Sequence, residues 1–284
     1  GMATAPISAF HFNVLSRYGL IANVLAVPAM GLVVMPAAVL AGLMAPLGLS
    51  EPGLWAMDRG IGYILWVAHF VAGLDGAVRA IPVGPVWALV LIVLGGLLLV
   101  LWIGRFRIAG LVPMILGVFL WMQVDRPEVL ISENGRLFGV LTGEGRVLNS
   151  EGGNGFAAEI WLGNDGDAAS QAAAFARAGM TRSRGRAEID VAGLGPLIYR
   201  GSREPGDEAQ ALCAASAILL APSWRRAPPD GNCLFIGADL LRNEGALAIR
   251  LSEHGAEITG ARALNDQRPW TRDPREQWSP ARGQ

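Results

Sequence analysis

The chain has 284 residues and is 52% hydrophobic, above the roughly 45–50% usual for soluble domains, so an ordinary water-soluble globule is disfavoured. All 23 basic residues are arginine and the formal net charge is −1, which argues against a domain that grips nucleic acid by bulk electrostatics. The charges are uneven. Residues 1–126 hold six Arg and four acids, whereas residues 127–284 hold 17 Arg and 20 acids, so a membrane part is expected to precede a soluble part of about one domain.

The chain starts on "GMATAPISAFHF", with no charged region ahead of a short apolar run, so a secretory leader is not expected here. The abrupt start suggests the C-terminal part of a longer protein. Residues 20–48 satisfy the roughly 20 apolar residues that a span requires. They include Pro28, Pro36 and Pro46, which implies a bent helix whose freed carbonyls are satisfied by neighbouring protein or water. Arg17 stands at the mouth of this segment and Asn23 inside it. An amide in a span either pairs with another helix or faces water.

Residues 52–77 read differently. Asp58, Gly62, His69 and Gly73 recur at helical spacing beside Trp55, Ile64, Leu65, Trp66 and Phe70, which predicts an amphipathic helix lying in the interface or against the bundle. His69 is a candidate proton-responsive or pore-lining group, or a snorkelling interfacial side chain. Residues 84–103 form the most apolar span, where Gly95 and Gly96 would allow a close neighbour. A last span is expected over 108–123. Between these two lie Arg105 and Arg107, and short arginine-rich loops face the cytoplasm. If 52–77 does not cross, Arg17 shares that side. The domain after Asp125 is then extracytoplasmic.

In the second half, strand-like runs fall at 129–132, 136–142, 187–191, 196–200, 216–221, 233–237 and 246–251, with helical runs near 156–162, 167–178 and 206–214. This mixture predicts layered α/β structure. "GNDGD", Asn164 to Asp167, starts like a calcium loop but lacks the later ligands, so helix capping by Asp165 or Asp167 is the plainer reading. "GGNGFAA" imitates a dinucleotide fingerprint, but Glu151 and Glu159 would flank the phosphates with no cation to offset them. Arg177, Arg182, Arg184 and Arg186 form the one basic stretch, either a contact for DNA phosphates or a solvated loop. Cys213 and Cys233 would form a disulfide if the domain lies outside the cytoplasm and their alpha carbons come within about 7 Å, or remain buried thiols.

The stretch "FHFNVLSRYGLIANVLAVPAMGLVVMP" resembles the last block of the competence domain of ComEC-type DNA-uptake channels. The likeness is carried by Phe10, His11, Gly19, Leu20, Ala22, Asn23, Ala26, Pro28 and Pro36, and by the order of segments that follows. The resemblance implies an α-helical transmembrane bundle followed by a metallo-β-lactamase-like domain outside the inner membrane. It also implies single-stranded DNA, membrane lipid, other competence proteins and an N-terminal part of the same chain as partners. This domain resembles a diverged version, "FAAEIWLGNDGD" being its most telling phrase. A hydrolase of that fold needs an H-x-H-x-D-H ligand cluster for two metals. The whole chain has three His, at 11, 69 and 254, so no metal, no cofactor and no catalytic residue are expected. The resemblance therefore implies a channel segment for natural transformation with a non-catalytic soluble domain. The alternatives are a metal-dependent nuclease at the outer face, using oxygen ligands such as Asp165 and Asp167, and a transporter or envelope protein unrelated to DNA.

Overall fold

The computed structural model describes residues 5–202, 208–228, 231–252 and 255–262, and the chain divides into two compact units, Gly1–Val124 and Asp125–Gln284. The first unit opens with α1 (Ala5–Phe12) and a short strand β1 (Val14–Ser16). One long interrupted helix follows: α2 (Gly19–Ala29), a π-helical turn (Met30–Val34), α3 (Met35–Met44) and a 3-10 turn (Ala45–Leu47). Pro28 and Pro36 bracket the π turn. A proline has no N–H to give and its ring crowds the carbonyl four residues back, and a widened turn accommodates that mismatch. The N–H of Met35 reaches the Met30 carbonyl accordingly. The run Gly19–Leu47 is 29 residues long and apolar enough to cross a membrane.

Helix α4 (Glu51–Ala72) then returns along this helix. Its packed edge is Gly53, Gly60, Val67 and Val71, spaced by whole turns. A β-carbon on Gly53 would sit 2.7 Å from the Ala41 backbone nitrogen, and one on Gly60 would sit 2.6 Å from a Val34 methyl. These two glycines are what bring the backbones together. Strand β2 (Val78–Ala80) closes the loop by pairing antiparallel with β1, Ser16 opposite Val78.

Helices α5 (Val86–Leu101) and α6 (Leu111–Met122) form a second hairpin, joined through a 3-10 turn (Arg105–Gly110). With its 16 residues α5 is shorter than the expected span 84–103, because Trp102 turns extended. The stretch expected to cross at 108–123 is longer than foreseen: Arg105–Met122 is a continuous apolar helical run. Gly95 meets the Gly110 carbonyl, whereas Gly96 faces open space.

Among the described residues, the second unit is a sandwich of two five-stranded sheets. The strands of the first sheet are β3 (Val129–Ile131), β4 (Phe138–Thr142) and β5 (Gly145–Leu148), joined later by β11 and β12. After α7 (Gly155–Asn164) and α8 (Gln171–Phe175) come β6 (Met180–Ser183), β7 (Arg186–Val191) and β8 (Gly195–Arg200). Then follow α9 (Glu208–Ala214), β9 (Ile218–Ala221), β10 (Leu234–Gly237), α10 (Ala238–Glu244), β11 (Leu247–Ser252) and β12 (Gly255–Gly260). The first sheet is ordered β12-β11-β3-β4-β5 and is antiparallel throughout. The second is ordered β10-β9-β8-β7-β6, with β8, β9 and β10 parallel.

Strand β9 shows why the layers form. Ile218 and Leu220 point into the core between the sheets, against Val129, Phe138 and Val147. Leu219 and Ala221 point the other way, onto Leu212, Cys213 and Trp224. An unbroken apolar strand must be covered on both faces. The outer face of the first sheet is covered likewise, Leu137 and Leu148 packing on Ala158 and Leu162 of α7 and Ala174 of α8. The layer order is helix, sheet, sheet, helix.

Candidate functional site

In the first unit the polar candidates separate. The Arg17 backbone N–H donates to the Ala77 carbonyl at 2.9 Å, and its guanidinium lies over Gly76. The same end is fastened by the Ile81 N–H donating to the Asn13 carbonyl at 2.8 Å and by the Trp121 indole N–H donating to the Pro82 carbonyl at 2.9 Å. So the start of α2, the end of α4, the start of α5 and the end of α6 share one end of the unit. Arg105 and Arg107 lie beyond the far end of α5, about 24 Å away at 1.5 Å per residue. Arg17 is therefore opposite Arg105 and Arg107; the expectation that they share a side applied only if 52–77 does not cross, and α4 instead runs back along the long helix. The reason is the β1–β2 pairing, which carries α4 back to the start of α2.

Asn23 is exposed in the second turn of α2, with no amide partner among the described residues. His69 lies in the last turn of α4 and is exposed, its Nδ1 2.7 Å from the Leu65 carbonyl of the same helix. These three residues do not converge on one site.

In the second unit the polar centre is Arg146 on β5. Its side chain is 0% exposed and that of Asp165, at the end of α7, is 4%. The guanidinium donates through Nε to Asp165 Oδ2 at 2.6 Å and through a terminal nitrogen to Oδ1 at 3.1 Å. Its remaining donors reach the Gly139 and Pro127 carbonyls at 3.2 and 3.0 Å. Arg126 donates to the Asp165 main-chain carbonyl at 3.0 Å. Beside this lies a cleft of about 340 Å³, bordered by Arg126, Glu144, Asp165, Asp167 and Arg177. Arg177 pairs with Asp167 at 2.6 Å and donates to the Arg146 carbonyl at 2.8 Å. Burial pushes the Asp167 carboxyl up, but the Arg177 and Ala169 hydrogen bonds outweigh it and hold the group below the usual carboxylate range.

The expected helix cap is placed otherwise. Asp165 spends both oxygens on Arg146, and Asp167 accepts from the Ala169 N–H in a local turn. Ser170 is the side chain that caps α8, accepting from the Ala173 N–H at 3.2 Å. Two carboxylates already bound to guanidinium groups are poor ligands for a cation, and among the described residues no three His, Cys, Asp or Glu side chains converge. His254 lies outside the described residues. The "GGNGFAA" loop is fastened by the Gln171 amide, which donates to the Ser150 and Gly153 carbonyls.

The basic stretch is a β-hairpin of β6 and β7, with Gly185 at φ +73°, and not a loose loop. Arg182 lies over the Phe175 ring at 4.2 Å and donates to the Leu148 carbonyl at 2.8 Å; burial pulls its pKa below the ordinary guanidinium value. Arg186 pairs with Glu188 at 3.2 Å. Arg177 belongs to the cleft, and Arg184 stands exposed at the turn. Only Arg184 of the four points into solvent without an ion pair among the described residues. Cys213 and Cys233 form a disulfide with alpha carbons 5.3 Å apart, fastening α9 to the loop before β10.

Sequence reasoning missed Arg146 altogether. The available signal was an arginine inside the strand-like "GRVL", since a buried cation demands an anionic partner.

These features define an antiparallel helical unit of membrane character followed by a layered α/β unit. Residues 1–106 match the family model described as Competence protein, which supports a ComEC-type competence protein. No curated protein and no solved structure matches the chain.

Proposed function

We propose that the first unit is part of an inner-membrane channel that takes up single-stranded DNA during natural transformation, and that the second unit is a non-catalytic, extracytoplasmic domain of diverged metallo-β-lactamase-like fold. The competence-domain match over residues 1–106 carries the reading. Four antiparallel helical passes, two of them long and apolar enough to cross a membrane, support a multi-pass segment. The helix–sheet–sheet–helix order of the second unit supports the β-lactamase-like reading, and the engagement of Asp165 and Asp167 by arginines supports a non-hydrolytic role.

For orientation, the arginine rule is even-handed: Arg17 and Arg79 flank one end of the helices, Arg105 and Arg107 the other. The Cys213–Cys233 disulfide supports an oxidising, extracytoplasmic setting for the second unit. The partners proposed are single-stranded DNA, the surrounding lipid and other competence proteins. Uptake of fluorescent DNA by cells lacking the gene tests the reading. DNA held outside the cytoplasmic membrane, with re-expression restoring uptake, is the expected result; normal uptake would leave the transporter or envelope alternative. Cleavage of DNA by the purified protein with Mn would overturn the non-catalytic part.

A further inference from the structure

Helix α4 lies beside the helix Gly19–Leu47 from Gly53 against Ala41 to the β1–β2 pairing, so it traverses whatever thickness that helix traverses. Yet its outward side is not built for lipid tails. Opposite the packed edge run Asp58, Gly62 and His69, all exposed. Next to this polar line, at spacings of three and four residues, stand Trp55, Arg59, Tyr63, Trp66 and Phe70. The four rings are 64%, 41%, 60% and 54% exposed in that order. Tyr63 stacks on Trp66 at 6.1 Å, Trp66 on Phe70 at 5.6 Å, and Arg59 lies over Trp55 at 5.5 Å. Ionisable groups at membrane depth face protein or a water-filled path. A strip of rings with one guanidinium on such a path matches the chemistry that holds single strands, in which any base stacks regardless of sequence.

Resting on the channel reading above, we propose that the Trp55–Phe70 strip of α4 lines the path of the single strand and carries its bases. The strip is about 22 Å long at 1.5 Å per residue. Asp58 offsets Arg59, so the strip holds the strand by stacking and not by neutralising phosphates. Weak, repeated contacts of this kind let a polymer move, because a conducting path must bind loosely enough to release.

The test uses the full-length protein in its native membrane and a single-stranded oligonucleotide bearing 5-iodouracil, irradiated during uptake, with crosslinked residues located by mass spectrometry. Crosslinks at Trp55, Tyr63, Trp66 or Phe70 are expected. Trp66→Ala and Phe70→Ala should each lower uptake about tenfold at unchanged membrane abundance, with Trp66→Phe restoring most of it. Crosslinks confined to other segments, or an absence of crosslinks while uptake still depends on the protein, overturns the strip and leaves the channel reading standing. Loss of abundance in both alanine variants without crosslinks assigns the strip to packing against another helix, which also overturns it. Normal uptake without the gene overturns the channel reading itself.

Discussion

Arg146 is an arginine with no access to water, and its partner Asp165 is nearly as buried. Removing one member of such a pair strands the other charge, at a cost of about 3–5 kcal/mol. Arg146→Met should therefore lower the thermal midpoint of the purified protein sharply. The double variant Arg146→Met with Asp165→Leu should recover much of the loss, because apolar replacement of both partners is often close to neutral. If the double variant is as unstable as the single, the stranded carboxylate is not the cause. Asp167 gives a pH prediction. Its folded pKa lies below the ordinary carboxylate value, so its stabilising effect is present above the unfolded pKa of about 3.9 and is lost as pH falls through the lower, folded one. Comparing midpoints of the wild type and Asp167→Asn down that range, the gap should close as the pH falls. None of these pairings was legible in "GNDGD" alone. Two aspartates before a helical run suggest caps, and only the fold shows that β5 carries an arginine to the end of α7.

At the scale of the elements, the apolar segments were legible because each is long and nearly free of charge. The prolines foretold an interrupted helix, and the π turn between Pro28 and Pro36 is where the interruption lies. Helix α4 was legible as amphipathic, but its contact edge was not, since Gly53 and Gly60 have no side chain to announce a face. Gly60→Leu should push α4 off Val33 and Val34 and cost at least the roughly 1–3 kcal/mol of an overpacked core, read as reduced membrane abundance and a lower midpoint. Gly62→Leu, at a glycine that faces open space, should be tolerated in the same assay. Strands β6 and β12 went unread because neither has an apolar run, whereas β5 was legible as the strand-like "RVLN". "MTRS" looks polar until its arginine is seen lying over Phe175. Strand β9 was easy for the opposite reason, an apolar run buried on both sides.

The whole molecule raises the question of sidedness, for which the sequence offers an answer that helix packing leaves open. The sequence offered Arg105 and Arg107 as cytoplasmic anchors. The β1–β2 pairing sets Arg17 and Arg79 at the other end, so the arginine count no longer decides. The proposed outer placement of the second unit rests on the disulfide instead, because a bond between Cys213 and Cys233 persists only where thiols are not kept reduced. With the second unit outside, thiols of untreated cells should resist a maleimide until reductant is added, and a phosphatase fused after Asp125 should be active while one fused after Gly104 is silent. The Cys213→Ser, Cys233→Ser variant should lose about 3 kcal/mol, the usual value for opening a loop of roughly this size. Free thiols in untreated cells together with a silent fusion after Asp125 would place the second unit in the cytoplasm. That result would reverse all four helical passes at once, since the pairing of β1 with β2 and of Trp121 with Pro82 fixes their directions relative to one another.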